Sequence, residues 1–211
     1  MPRIHSQAYN FEGFVQREVD PGTSQYTCSI SLYKTPASVR NCPAFNLTLS
    51  YNPLNNKDIG LGEGWALNLP SYEHGKSGTL LLSSGEYYKV EETPNGLTAK
   101  DQKLKNFHFK KRGSDYQVTY KTGQIEILSN RGKASDSAVL TKTNSDNQPR
   151  LSKIQEDSQG LLEITYSEHE VRIARAPNTS EETPFILTRR NDRLVEVLLP
   201  TEDKLSWKFE F

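Results

Sequence analysis

Apolar and polar residues alternate in short runs along most of the chain. Tyr26 to Leu32 and Phe45 to Tyr51 each place apolar side chains at every second position, which is the period of a strand with one buried face. Another such run begins at Trp65, and short strands are also expected around Phe107, Val171 and Ile186. The pattern predicts an all-β, mostly antiparallel meander of consecutive β-hairpins, with about 14 to 16 short strands.

Two hairpins are predicted in detail, because a dipeptide ending in glycine separates two alternating runs in each case. One joins residues 79–83 to residues 86–91 through Ser84-Gly85, and the other joins residues 115–121 to residues 124–129 through Thr122-Gly123. Three polar stretches predict loops instead, at residues 93–103, 130–136 and 176–183.

One short helix is expected near the N-terminus. Asn10 is a good helix cap, and Phe11, Phe14, Val15 and Val19 would share one side of a helix that starts there. Asp20-Pro21 would end it.

The last part of the chain repeats an earlier part. At a constant offset Arg150-Leu151 aligns with Arg193-Leu194, and the later apolar positions align as well: Ile154 with Val197, Leu162 with Leu205, Ile164 with Trp207 and Tyr166 with Phe209. Residues 150–166 and 193–211 therefore each predict a hairpin, and Leu205, Trp207, Phe209 and Phe211 would form one apolar face. A hairpin cannot bury its own apolar face, so the repeat indicates a sheet that grows by adding neighbours. The pattern stops at Phe211 within a hairpin, and we expect more repeats to follow in the parent protein.

Composition and charge narrow the possible functions. The 211 residues are enough for one β-rich domain over 1–211, with a division into an N-terminal sheet region (1–145) and hairpin repeats (146–211) as the alternative. Only 34% of the residues are hydrophobic, and the mean hydropathy is −0.71. The 26 basic residues balance 26 acidic ones, which argues against a nucleic-acid binder. We also expect no membrane span and no secretory signal, because the apolar runs are too short.

Neither cysteines nor histidines point to a metal site or to a cofactor. Cys28 and Cys42 are too few for a disulfide scaffold. A single Cys28–Cys42 pair is the alternative, but we expect two buried free thiols, with Cys28 opposite residues near Leu49 and Cys42 in a loop. The four histidines His5, His74, His108 and His169 have no metal-binding spacing.

Several sequence blocks in the first 90 residues or so, taken in order, resemble the start of bacterial RHS/YD-repeat proteins. The blocks are Asn10-Phe11, Phe14-Val15-Gln16, Val19-Asp20-Pro21, Tyr26-Thr27, residues 29–32, Tyr51-Asn52-Pro53-Leu54-Asn55, residues 60–65 and residues 82–86. The two C-terminal hairpin copies are similar to the tyrosine-aspartate repeats of this family, although neither contains the Tyr-Asp dipeptide. Where the family commonly has Asp-Pro-x-Thr-Gly, this chain has residues 20–24 with the glycine at Gly22.

The resemblance implies a structural role without a catalytic site. RHS proteins wind ribbons of hairpins into a hollow shell around a C-terminal toxin, so this chain would be the N-terminal part of such a shell. Its partners would be the remaining repeats and the toxin, together with components of a secretion apparatus or toxin complex. The protein would be cytoplasmic before export and would leave the cell by a route that needs no signal peptide.

Aromatic side chains give the main alternative, a carbohydrate-binding or cell-surface-binding β module. Trp65, Tyr72, Tyr87 and Tyr88 lie in one segment, and exposed aromatic rings stack on sugar rings. Tyr87 and Tyr88 are adjacent, so a strand would point them to opposite faces, whereas the glycines before Trp65 favour a core position for that indole.

A glycosidase is a third possibility. It would need two carboxylates that face each other across a cleft. The candidate pairs are Glu91-Glu92, Glu156-Asp157 and Glu181-Glu182.

Overall fold

A computed structural model describes most of the chain, and the described part is all-β. The described residues are 14–19, 24–35, 43–54, 56, 58, 60–74, 78–94, 96–100, 102, 104–129, 149–156, 160–167, 169–176, 184–191, 193–201 and 203–210. They contain 17 strands and no helix. No helix in these ranges is long and apolar enough to cross a membrane.

Four strands near the N-terminus form a separate antiparallel sheet. They are β1 (Val15–Val19), β2 (Tyr26–Lys34), β3 (Asn46–Tyr51) and β4 (Trp65–Leu67), and they lie side by side in this order. One row of directly opposed residues, Val15, Ile30, Leu49 and Leu67, crosses all four strands on the same face. Cys28 is a half-buried free thiol opposite Tyr51, close to the expected position beside Leu49.

The other strands form one 13-stranded sheet. Its first group is β5 (Ser71–Glu73), β6 (Gly78–Leu81), β7 (Tyr87–Thr93), β8 (Gly96–Ala99), β9 (Phe107–Arg112), β10 (Asp115–Tyr120) and β11 (Gln124–Ser129). Its second group is β12 (Arg150–Glu156), β13 (Gly160–Tyr166), β14 (Glu170–Ala176), β15 (Phe185–Arg190), β16 (Arg193–Leu198) and β17 (Ser206–Lys208). All the pairs are antiparallel, as predicted.

The first group curls almost into a closed ring, because β12 has three neighbours. It pairs with β11 along its length and with β13 from Lys153 to Glu156, while Arg150 at its start pairs with Ser71 of β5. The order β9-β10-β11-β12-β5-β6-β7-β8 is continuous through hydrogen bonds, and β8 then lies beside β9. The inner face of this curled sheet is filled by apolar side chains, among them Leu80, Val90, Phe107, Val118 and Leu128.

The second group packs face to face against the four-stranded sheet. The ring of Phe185 lies 5.6 Å from that of Tyr33 and 6.4 Å from that of Phe45, between ring centroids. The indole nitrogen of Trp207 donates a hydrogen bond to the carbonyl oxygen of Leu32. At one margin of this contact the amide of Leu194 donates to the carbonyl of Gly60. Buried residues of both groups form one continuous core.

Both predicted tight hairpins are present. β6 and β7 are joined around Ser84-Gly85, and β10 and β11 around Thr122-Gly123. Gly85 and Gly123 have φ angles of 86° and 94°, which residues with a Cβ rarely adopt. The strands expected near Val171 and Ile186 are β14 and β15.

Two local predictions are wrong. Residues 15–19 of the expected helix form β1, which pairs along its whole length with β2; the start of that helix and the expected loops at 130–136 and 177–183 lie outside the described residues. Residues 96–99 of the expected loop at 93–103 form β8. Here Pro94 and Gly96 make the turn of a hairpin, since Gly96 has a φ of 112° and Thr93 opposes it.

The two C-terminal copies are both hairpins of the same sheet, separated by β14 and β15. Their registers differ. Ile154 opposes Leu162 in the first copy, whereas Val197 opposes Trp207 in the second, two positions beyond the aligned Leu205. Leu205 is accordingly 55% exposed rather than part of an apolar face. Trp207 and Phe209 pack on the core, and Phe211 lies outside the described residues.

Candidate functional site

A groove of about 1010 Å³ lies at one end of the curled sheet. It is lined by residues of β5 to β10 and of the turns that follow them. The lining side chains are Tyr72, His74, Lys89, Val90, Glu91, Glu92, Leu97, Lys100, Lys111 and Tyr116, with Gly78 and Gly96.

Strand periodicity explains why polar side chains meet at this end. Three strands each have a buried apolar residue on the inner face, followed two positions later by a polar one: Tyr72 by His74, Val90 by Glu92, and Phe109 by Lys111. Residues two apart on a strand point to the same face. His74, Glu92 and Lys111 therefore continue the inner face beyond the core, where it opens to solvent.

Aromatic rings form the floor of the groove. Tyr72 contacts Tyr116, Phe109 and His74, with centroid distances of 4.9, 5.0 and 4.7 Å. Phe109 and Tyr116 stack with an angle of 13° between their planes. Gly78 leaves room for the Tyr72 ring, because a Cβ at this position would lie 2.5 Å from the Tyr72 hydroxyl oxygen. The floor is thus a packed cluster with a fixed shape.

The electrostatics keep the floor neutral. Burial, followed by the charges of Tyr116 and Glu92, raises the pKa of Tyr72, and burial together with Glu92 raises the pKa of Tyr116. Burial and then Lys111 lower the pKa of His74. At neutral pH the two phenols and the imidazole are therefore uncharged, and each can both donate and accept hydrogen bonds.

Charged side chains stand around this neutral floor. The ammonium of Lys111 lies 6.0 Å from the centre of the Tyr116 ring, within reach of a cation–π attraction. Lys100 forms an ion pair with Glu91 at the rim. Within the described residues neither Glu92 nor Lys111 has an ion-pair partner within 4 Å. The carboxylate of Glu92 and the ammonium of Lys111 therefore both face the groove without forming an ion pair with each other.

The four aromatic residues predicted as a sugar-binding set do not share a surface. Trp65 is half-buried in the four-stranded sheet, where its ring lies 5.3 Å from that of Tyr51. Tyr72 is only 5% exposed, and Tyr88 packs on Phe107 at 5.0 Å. Tyr87 is 63% exposed on the opposite face of β7 from Tyr88, as strand geometry requires. Of the four, only Tyr72 lines the groove.

The predicted carboxylate pairs are also separated. Glu91 and Glu92 are neighbours on β7 and point to opposite faces, with Glu91 paired to Lys100. Glu156 accepts a hydrogen bond of 3.2 Å from the amide of Ala44. Asp157, Glu181 and Glu182 lie outside the described residues. In the part of the chain that the structure describes, no three His, Cys, Asp or Glu side chains are close enough to hold a metal ion.

A second polar cluster lies inside the curled sheet and was not predicted. The hydroxyl of Tyr120 donates a hydrogen bond of 2.7 Å to Oε2 of Glu126, and the hydroxyl oxygens of Ser83 and Tyr120 are 3.4 Å apart. Glu126 is fully buried, and its Oε1 has no hydrogen-bond partner among the described residues. Burial raises the pKa of Glu126. Because its side chain has no exposed surface, we assign this carboxylate to the core.

The signal for the groove is present in the sequence but weak. His74, Glu92 and Lys111 are polar residues in phase with an apolar alternation, at the end of three separate strands. The non-local pairing of β5 with β12 and the contact of β8 with β9 bring these strand ends together. Comparison with known proteins adds no further guide: no family model matches this chain, and no curated protein matches it either.

Proposed function

We propose that this chain is the N-terminal structural segment of an RHS-type shell, and that it has no catalytic role. Its partners would be further hairpin repeats and a C-terminal toxin, and components of a secretion apparatus or toxin complex during delivery. It would be cytoplasmic before export by a route that needs no signal peptide. The motifs at residues 10–32, 51–65 and 82–86 first suggest this role.

One observation carries the proposal, a row of directly opposed residues that crosses five consecutive strands. Tyr166, Val171, Leu187, Val197 and Trp207 follow each other from β13 to β17 on the same face. Three of them, Val171, Leu187 and Val197, are fully buried. Successive hairpins thus align their apolar side chains into one continuous face, as a ribbon of modular hairpins does, and this face packs on the four-stranded sheet.

The geometry of β17 supports continued growth of this ribbon. The carbonyl of Leu205 accepts a hydrogen bond from the amide of Leu199, directly after β16, and the amide of Phe209 donates to the carbonyl of Val195 in β16. In an antiparallel pair, alternate residues point their amides toward the partner. The amides of Ser206 and Lys208 therefore face away from β16, at the outer edge of the sheet. Such an edge accepts another strand.

A proline substitution tests this edge. Lys208→Pro removes an outward donor and leaves the bonds of Leu205 and Phe209 intact. If the edge accepts a strand, the 211-residue chain should self-associate across micromolar to millimolar concentrations in sedimentation velocity. Lys208→Pro should abolish that association.

Arg17→Pro is the matched control for this experiment. It removes an outward amide from β1, the edge of the four-stranded sheet, because Phe14 there bonds inward to Ser31. We expect it to leave association unchanged. A wild-type chain that stays monomeric, or association that both prolines reduce equally, would contradict the proposal.

The carbohydrate-binding module and the glycosidase remain predictions of the sequence. Trp65, Tyr72, Tyr87 and Tyr88 do not form a common aromatic platform. Glu91 and Glu92 point to opposite faces of β7, so they do not face each other across a cleft. A glycan array would test the module through Tyr87, since loss of signal in Tyr87→Ala is expected only if this exposed ring stacks on a sugar.

A further inference from the structure

We propose that the groove between Glu92 and Lys111 binds a saccharide that carries a carboxylate group. The site is independent of the shell proposal, because its lining residues lie on β5 to β10 and in adjoining turns, and none of these strands pairs with β17. It also differs from the aromatic set suggested by the sequence, with which it shares only Tyr72.

The lining excludes an apolar ligand. Among the lining side chains, only Val90 and Leu97 are aliphatic, and Val90 is buried beneath the surface. The others offer hydroxyl, imidazole, carboxylate or ammonium groups. A ligand that gains from this surface must satisfy several hydrogen-bonding groups at once, as a sugar with many hydroxyls does.

The charges of Lys111 and Glu92 indicate which functional groups the ligand carries. The ammonium of Lys111 is compact and suits a single anionic group. Glu92 accepts hydrogen bonds from hydroxyls, and would repel a polyanion such as a nucleic acid. One carboxylate near Lys111 and hydroxyls near Glu92 fit both side chains. Lys89 at the rim adds positive charge, while Lys100 is paired with Glu91.

The floor makes the site rigid before a ligand arrives. Tyr72, Tyr116 and Phe109 pack against one another, and both phenols are held neutral by burial and by Glu92. A groove whose polar groups are already in place loses little conformational entropy on binding. Lys111 itself is held in register opposite Tyr116.

Isothermal titration of the full chain tests the assignment with two probes that differ only in charge. The acidic probe is a galactose trimer whose terminal unit is replaced by galacturonic acid, so that it carries a single carboxylate, and the neutral probe is the corresponding trimer of galactose. We expect the acidic trimer to bind at least about tenfold more tightly, which is about 1.4 kcal/mol. Added salt should weaken its binding.

Lys111→Gln should lower affinity for the acidic trimer about tenfold, to that of the neutral trimer. Lys110→Gln is the matched control, because Lys110 is exposed on the same strand but faces the other side. Glu92→Gln should weaken both trimers to a similar extent.

Three results would overturn the proposal: no binding of the acidic trimer, equal binding of both trimers, or equal effects of Lys110→Gln and Lys111→Gln. Tighter binding of a glutamate-rich peptide than of the acidic trimer would also overturn it, since it would assign the groove to a peptide.

Discussion

The indole of Trp207 donates a hydrogen bond of 3.1 Å to the backbone oxygen of Leu32, across 175 positions of sequence. Trp207 belongs to the last strand of the hairpin ribbon, and Leu32 to the four-stranded sheet. This bond and the surrounding contacts of Phe185 join the two sheets into one folded unit. The contacts of Trp207, of Gly64 with Tyr51, and of Glu126 with Tyr120 each lead to a prediction about stability.

Trp207 should contribute strongly to stability, and Leu205 should not. Trp207→Ala is expected to lower the free energy of unfolding by about 3–5 kcal/mol, because it removes a large ring packed on the core. Trp207→Phe keeps an aromatic ring but loses the hydrogen bond, which costs about 1 kcal/mol. The control Leu205→Ala should change stability by less than about 0.5 kcal/mol. Urea denaturation measures all three, and a larger effect at Leu205 than at Trp207 would mean that the aligned register is the real one.

The glycines before Trp65 provide a matched pair of substitutions. Gly62 and Gly64 have nearly equal φ angles, 93° and 94°, so alanine strains the backbone similarly at both. A Cβ at Gly64 would also collide with the ring of Tyr51, whereas a Cβ at Gly62 meets nothing within 4 Å. We expect Gly62→Ala to cost about 1–2 kcal/mol from backbone strain, and Gly64→Ala about 2–4 kcal/mol from strain together with the collision. Thermal and urea unfolding would show equal costs if the close contact with Tyr51 were absent.

The buried carboxyl of Glu126 should make stability depend on pH. Its pKa is raised by burial in the folded state, so the folded chain holds this proton more tightly than the unfolded chain. The stability that this provides is complete below the unfolded pKa and is lost as pH rises through the folded pKa. Glu126→Gln has no such proton. Within that window, wild type should therefore lose stability relative to the variant by about 1.4 kcal/mol per pH unit. Parallel pH profiles of the two proteins would disprove the raised pKa.

The hydrogen bond from Tyr120 to Glu126 should shift the pH range over which the stability provided by protonated Glu126 is lost. That bond lowers the pKa of Glu126 and thus opposes the effect of burial. Tyr120→Phe removes it, so the loss of stability should extend to higher pH. At a pH where Glu126 is ionised, the substitution should cost about 1–3 kcal/mol. In the Glu126→Gln background its cost should differ by about 0.5 kcal/mol or more, measured as a double-mutant cycle. Strictly additive effects would mean that the two side chains do not interact.

Local pairing could be predicted from the sequence, and distant pairing could not. Alternation and glycine turns identified the hairpins around Ser84-Gly85 and Thr122-Gly123, because both depend on a few neighbouring residues. Strands β2, β3 and β4 and the C-terminal hairpins followed from the same signals, whereas β1 did not. Arg150 pairs with Ser71 and so closes the curled sheet. We found no pattern in the sequence of either strand that predicts this pairing.

The wrong predictions have a common cause. Phe14, Val15 and Val19 suit a helix by spacing, yet the long neighbouring strand β2 offers residues 15–19 a complete partner, and pairing overrides the weak helical preference. Residues 96–99 look polar, but Leu97 and Ala99 alternate and β7 extends far enough to pair with them.

The displaced register of the second C-terminal hairpin has an evolutionary consequence. Trp207 occupies the place of Leu162, two positions later than the alignment puts it, and still faces the core. A shift of one position would have turned its indole to the outside. Loops in such a ribbon can therefore change length in steps of two without disturbing the buried face. Homologous hairpins that diverge in length are expected to do so by even numbers of residues.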